Sequence, residues 1–211
     1  MRYTTLLIDL LSLANATPLA HCNRQASTPD PATVQVESLT YTGSGCPAGT
    51  VQSYINSSKT LLTLSFSSIL QFGPGFPITE SRKTCSLQLR LRYPQNWTFA
   101  VETTEFRGYA WIPSGCAARL SAQYGYEGQD AGLPVVIILN GTVDGDFLER
   151  GPVEGDGRVG SLCGVERSSV SVNAGQAITC SKEAFLGTED TKFGMYLHLR
   201  WARCGGDGEG V

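Results

Sequence analysis

From Cys85 to Tyr93 the chain reads CSLQLRLRY, with Leu87, Leu89 and Leu91 at every second position and Gln88, Arg90 and Arg92 between them. Only an extended strand gives side chains a period of two, so this stretch excludes a helix and requires an apolar layer for the leucines to meet. The run MYLHLRW near the other end has the same design: Met195, Leu197, Leu199 and Trp201 share one face, while Tyr196, His198 and Arg200 share the other. Each strand keeps one wet side and one dry side, the pattern of antiparallel sheets packed on one face.

Further short alternating or β-branched runs recur between these two. They include VQVESLTYT, TLLTLSF, WTFAVETTEF, GYAWI, ARLSAQYGYEG, VVIILNGTV and SSVSVNAG, nearly all bounded by Gly, Pro, Asn or Ser. About nine strands at this spacing, with no long helical period, predict an all-β fold: an antiparallel, jelly-roll-like β-sandwich forming a single domain over residues 34–204. KEAFLGTED suits a short turn of helix, and the acidic, glycine-rich stretch 144–160 reads as loop. A chain of 211 residues is long enough to bury roughly 70% of the surface its unfolded form exposes.

The first 16 residues have the layout of a signal peptide: Arg2, an apolar segment from Leu6 to Leu13, and Ala14 and Ala16 as small residues at the cleavage position, with Ala20 the second choice. Asp9 is a departure from that layout, and the segment is too short for a membrane span. Residues 17–33 are polar and proline-bearing and are expected to be a mobile lead-in; 205–211, GGDGEGV, read as a disordered tail. The seven cysteines are spread widely, with no C-x-x-C, as suits disulfides in an exported protein rather than a zinc site. Acceptor sequons for N-glycosylation stand at Asn56, Asn96 and Asn140.

Together GSGCPAGTV (43–51), GPG (73–75), SRKTCSLQLRLRYPQNW (81–97), FRGYA (106–110), YGYEGQ (124–129), SLCG (161–164) and LHLRWARC (197–204) resemble, in this order, a family of secreted proteins named domain of unknown function 4360, common in filamentous fungi and also found in bacteria. The resemblance implies export, but no substrate and no catalytic residue. Its cysteine positions match Cys46, Cys85, Cys163 and Cys204, and on that basis Cys46 is expected to bridge to Cys85 and Cys163 to Cys204. Cys116 and Cys180, outside the family pattern, would form a third bridge, leaving Cys22 for an intermolecular link or a free thiol. The sequon at Asn96 is also outside that pattern.

A net charge of −3 without a basic stripe argues against nucleic acid as partner. Only His21 and His198 are available as imidazole bases, and the chain lacks G-x-S-x-G, H-E-x-x-H and a phosphate-cradling glycine loop, so those enzyme classes fall away. No cofactor and no metal are expected. The acidic residues Asp144, Asp146, Glu149, Glu154 and Asp156 have calcium-like chemistry but not the ligand spacing of a calcium loop. Three arrangements remain. Arg90, Arg92, His198 and Arg200 would make a cationic face for an anionic sugar or acidic partner if their strands were neighbours in one sheet. Tyr93, Trp97, Tyr109, Trp111, Tyr124 and Tyr126 offer stacking surfaces, with one member each of the 109/111 and 124/126 pairs expected in the core. Glu102 and Glu105 would serve a glycosidase if they faced each other across a cleft. The leading expectation is an extracellular, non-catalytic module that binds a cell-wall or host glycan or a surface protein. The alternative is a small carbohydrate-active hydrolase.

Overall fold

The computed structural model describes residues 28–67, 70–72, 77–154, 160–187 and 193–204. The expected leader, Cys22, most of the lead-in and the tail 205–211 lie outside the described residues. Within them are twelve strands: β1 (Gln35–Thr42), β2 (Val51–Ile55), β3 (Leu61–Phe66), β4 (Leu70–Phe72), β5 (Arg82–Arg92), β6 (Trp97–Ile112), β7 (Ala117–Tyr126), β8 (Val135–Asn140), β9 (Val143–Pro152), β10 (Arg167–Thr179), β11 (Ala184–Leu186) and β12 (Phe193–Arg203). Short 3-10 turns occupy Pro31–Thr33, which Asp30 caps through the amide of Ala32, and Ile78–Ser81.

All strand pairings are antiparallel. A smaller sheet runs β1-β5-β10-β7-β8; a larger one runs β2-β3-β12-β6-β11-β4, with β9 on the opposite edge of β6. The chain changes sheet repeatedly, at β1–β2, β4–β5, β5–β6, β6–β7, β8–β9, β9–β10 and β10–β11, which makes the sandwich jelly-roll-like. Leu87, Leu89 and Leu91 of β5 and Met195, Leu197 and Leu199 of β12 are buried in the one core between the sheets. Each such side chain contributes about 2 kcal/mol by leaving water.

Two tyrosines tie the layers together through polar contacts inside this core. Tyr124 shares a 2.7 Å hydrogen bond with the Thr104 hydroxyl, and the Tyr126 hydroxyl accepts the Val101 amide at 2.7 Å. Burial raises both phenols, Tyr126 to about 12. Disulfides join Cys46 to Cys85, Cys116 to Cys180 and Cys163 to Cys204, the last linking the end of β12 to the loop that enters β10 in the other sheet. Loops of this length give each bridge about 4 kcal/mol in the chain-entropy account.

Two local expectations are overturned. Ala184–Leu186, assigned to a helical turn, is strand β11, because Phe185 pairs with Trp111 and with Gln71 on its two sides. Of the stretch 144–160, expected as acidic loop, residues 144–152 belong to strand β9, which runs along ten residues of β6.

Candidate functional site

Strand β6 controls the outer face of the larger sheet. Its register to β12 shifts between Val101, paired with Leu199, and Thr103, paired with His198, so that Glu102 is the extra residue of a bulge. Before the bulge Phe99 and Val101 point into the core; beyond it Thr104, Phe106, Ala110 and Ile112 do so. The side chains of Glu105, Arg107, Tyr109 and Trp111 are thereby turned outward. Pairing then sets rows across the sheet, with strands about 4.8 Å apart. One row reads Tyr54, Thr63, Tyr196, Glu105, Arg150; the next reads Gln52, Ser65, Gly194, Arg107, Leu148; toward one end lies Phe185, Trp111, Asp144.

Glu105 sits on this outer face yet has no solvent exposure. Arg107 donates its Nε–H to one carboxylate oxygen and Arg150 donates its Nε–H to the other, while His198 Nε2 stands 3.8 Å from the second. Burial alone would raise this carboxyl, but the two charge-assisted hydrogen bonds outweigh it and hold Glu105 below its ordinary carboxylate value. Both guanidiniums are about half exposed. Their Nε groups are spent on Glu105, which anchors both half-exposed guanidiniums on this face. Arg107 also lies 4.3 Å over the ring centre of Tyr196. That ring rests on Gly194, where a Cβ would come within 2.8 Å of Cε2, so only glycine allows the stack to lie flat on the sheet.

Beside this cluster stand aromatic side chains with open surface. Tyr54 is 66% and Trp111 40% exposed, and Leu148 adds apolar area at 49%. The Tyr109 hydroxyl donates to Asp144 at 2.7 Å, a bond to an anion that raises the phenol, and its ring packs 6.0 Å from that of Phe185. Five aromatic residues, Tyr54, Tyr109, Trp111, Phe185 and Tyr196, thus stand at outward positions on one sheet.

The expected cationic face does not form. Arg90 and Arg92 are on β5 of the smaller sheet, and His198 and Arg200 on β12 of the larger, pointing to opposite sides of the molecule. The cause is the shared design itself: two strands with one leucine face each meet across the core rather than edge to edge. Arg90 stands 4.0 Å from Glu37, whose two carboxylate oxygens share the Arg167 Nε–H, and His198 is beside Glu105 instead. The aromatic expectation also divides differently. Tyr124 and Tyr126 are both core, as are Tyr93 and Trp97, whereas Tyr109 and Trp111 both face outward.

Glu102 and Glu105 are near neighbours on a single strand. Glu105 is held ionised between arginines, the opposite of what a general acid requires. Among the described residues no group of three or more His, Cys, Asp and Glu side chains is placed to hold a metal ion, and the acidic stretch is drawn out along β9. Asn96 and Asn140 are exposed; Asn56 is half-buried, its side chain closing the β2–β3 turn through the amides of Thr60 and Leu61 and the hydroxyl of Ser58. No described helix is long and apolar enough to cross a membrane. The sequence did not single out Arg107, Arg150 or Tyr54 as site residues; the trace of the first is its place in the FRGYA segment, directly after Glu105 and Phe106.

Fold, bridges and face together define a disulfide-stapled antiparallel β-sandwich of the exported kind. The chain belongs to the family described as Domain of unknown function (DUF4360), which matches residues 32–204. An "Uncharacterized secreted protein" of Arthroderma benhamiae is 30% identical over 188 residues, covering 86% of this chain and 76% of that one, and the present protein is likewise secreted. Among solved structures, TmCBM61 in complex with β-1,4-galactotriose overlaps 83% of this chain and 94% of its own at 10% identity and a TM-score of 0.30. A family 11 carbohydrate-binding module from Clostridium thermocellum, in complex with a mixed-linked tetrasaccharide, overlaps 81% and 91% at 9% identity and a TM-score of 0.24. Likenesses this distant carry no argument about ligands.

Proposed function

We propose that this protein is a non-catalytic binding module that attaches to a glycan of a cell wall or host surface through the outer face of its larger sheet. The observation that carries this reading is the gathering of Tyr54, Tyr109, Trp111, Phe185 and Tyr196 on that face, against no aromatic residue at the outward positions of the smaller sheet. Exposed rings such as those of Tyr54 and Trp111 stack on the apolar faces of sugars, while the Tyr196 ring, already covered by Arg107, holds that guanidinium in place; Arg107 and Arg150 supply donors to hydroxyl or acid oxygens. Preorganisation supports binding without turnover: Glu105, Arg107 and Tyr196 already hold one another, so little side-chain entropy remains to be lost when a ligand arrives.

A glycan array probed with the secreted protein, run alongside a polysaccharide hydrolysis screen, tests the reading. Binding without release of reducing ends is expected, and Trp111→Ala should weaken it about tenfold, the usual scale for truncating an exposed aromatic anchor. Release of reducing ends in proportion to protein, or silence on every glycan, would count against it.

A further inference from the structure

The outer face of the smaller sheet holds a depression of about 530 Å³ that the aromatic face does not account for. Its form follows from the registers of three adjacent strands. Ala177 of β10 pairs with Arg82 of β5 on one side and with Arg119 of β7 on the other. In the next outward row Gly175 lies between Thr84 and Ser121, and in the row after that Asn173 lies between Ser86 and Gln123. The central strand thus contributes a methyl group between two arginines and a hydrogen between a threonine and a serine. The floor is open and two arginines form the walls. A Cβ on Gly175 would stand 2.8 Å from the Ser121 hydroxyl, so the gap at that point depends on glycine.

The charges are unusual for such a place. Arg82 and Arg119 are exposed, and neither makes a hydrogen bond or ion pair with any described residue. No Asp or Glu lines the depression. Several other cations are matched, since Arg90 and Arg167 share Glu37, Arg107 and Arg150 share Glu105, and Lys83 pairs with Glu80; Arg82 and Arg119 differ from Arg92 and Arg200, also unpaired among the described residues, in lining one depression together. With one strand between them, the backbones of Arg82 and Arg119 are about 10 Å apart, within reach of a single small anion for two arginine side chains. Around them the donors and acceptors are hydroxyls and an amide. Asn173 accepts the Ser86 hydroxyl at 2.9 Å through its oxygen, which leaves its Nδ2 group to donate outward.

We infer that this depression is a second ligand site, taking the anionic group of an acidic glycan between Arg82 and Arg119. The planar guanidinium fork matches a uronate carboxylate or a sulfate ester, and Asn173, Thr84 and Ser121 face the neighbouring sugar hydroxyls. This site does not depend on the aromatic face, and its failure and the failure of that reading are separable.

The test uses the full secreted protein in calorimetric titrations with oligogalacturonate, with its neutral methyl ester, with sulfated dextran and with poly-glutamate. Binding of oligogalacturonate or sulfated dextran is expected, and which of the two binds tells carboxylate from sulfate. The methyl ester should not bind. The double variant Arg82→Ala/Arg119→Ala should lose at least tenfold in affinity while keeping the parent melting temperature, since neither arginine has a partner to lose. Trp111→Ala should leave this binding unchanged. The inference is overturned if neither acidic polymer binds, if the double variant binds as tightly as the parent, or if poly-glutamate binds as well as the acidic glycans.

Discussion

Arginine is used in opposite ways on the two outer faces. On the larger sheet Arg107 and Arg150 grip a carboxylate that has no exposure at all, and Arg107 in addition covers a tyrosine ring. On the smaller sheet Arg82 and Arg119 flank an open floor with nothing in the described chain to neutralise them. A charge embedded in a network costs stability when it is removed, because the charge-assisted hydrogen bonds it accepts are lost and like charges are left side by side; a charge with no partner costs almost nothing. The first arrangement builds a rigid surface, whereas the second leaves charge available to something outside the molecule. The two faces should therefore respond differently to the same kind of substitution.

The largest difference is expected at Glu105. Glu105→Ala should destabilise the protein by about 3 kcal/mol at neutral pH, because it leaves two guanidiniums and His198 around an empty centre. For a domain of this size that corresponds to a fall in melting temperature of roughly 9 °C, measurable by calorimetry. Its pH dependence has a defined sign. The folded protein holds Glu105 below its ordinary value, so the stabilisation is complete above the unfolded carboxyl's pKa and is lost as pH falls through the folded one. The gap between parent and Glu105→Gln should accordingly narrow as pH falls through the carboxylate range.

A smaller effect is expected where the core meets the bulge of β6. Tyr126→Phe strands the Val101 amide in the core and should cost about 1.5 kcal/mol in a denaturant titration. Gly194→Ala pushes the Tyr196 ring off the sheet and should cost about 1 kcal/mol, with a change in near-ultraviolet circular dichroism as the tyrosine leaves its stack with Arg107. The smallest effect belongs to the other face: Arg82→Ala/Arg119→Ala should alter stability by less than about 0.5 kcal/mol in either direction. A loss as large as that at Glu105 would show that the two faces are not distinct in the way described.

Much of the framework was legible from periodicity, and the limits of periodicity explain the misses. Alternation assigned Leu87, Leu89 and Leu91 and Met195, Leu197, Leu199 and Trp201 to the core, since a period of two tells which face a side chain takes. It carries no information on which sheet a strand joins, and so Arg90 and Arg92 were grouped with His198 and Arg200. Glu105 was hidden by the bulge: counted by strict alternation from Phe99, it would fall on the core side, and only the extra residue Glu102 turns it outward. Strand β9 was read as loop because Asp144, Gly145, Asp146 and Glu149 have little strand propensity. On an edge, where one flank of the strand is unpaired, charge and glycine are tolerated and guard against further pairing. Arg82 and Arg119 are 37 residues apart in sequence and become neighbours only through Ala177. No local pattern could have joined them.

Retention on insoluble polysaccharide tests whether the aromatic face of the larger sheet binds a glycan without turnover. Parent protein and the double variant Tyr54→Ala/Trp111→Ala would be incubated with chitin, β-glucan, mannan and galactan, with bound protein and released reducing ends measured in the same tubes. The parent should be retained on at least one polymer, the double variant should lose at least tenfold in affinity with its melting temperature within about 2 °C of the parent, and no reducing ends should appear. Equal retention of the two proteins, or sugar release that scales with enzyme and time, would contradict this expectation.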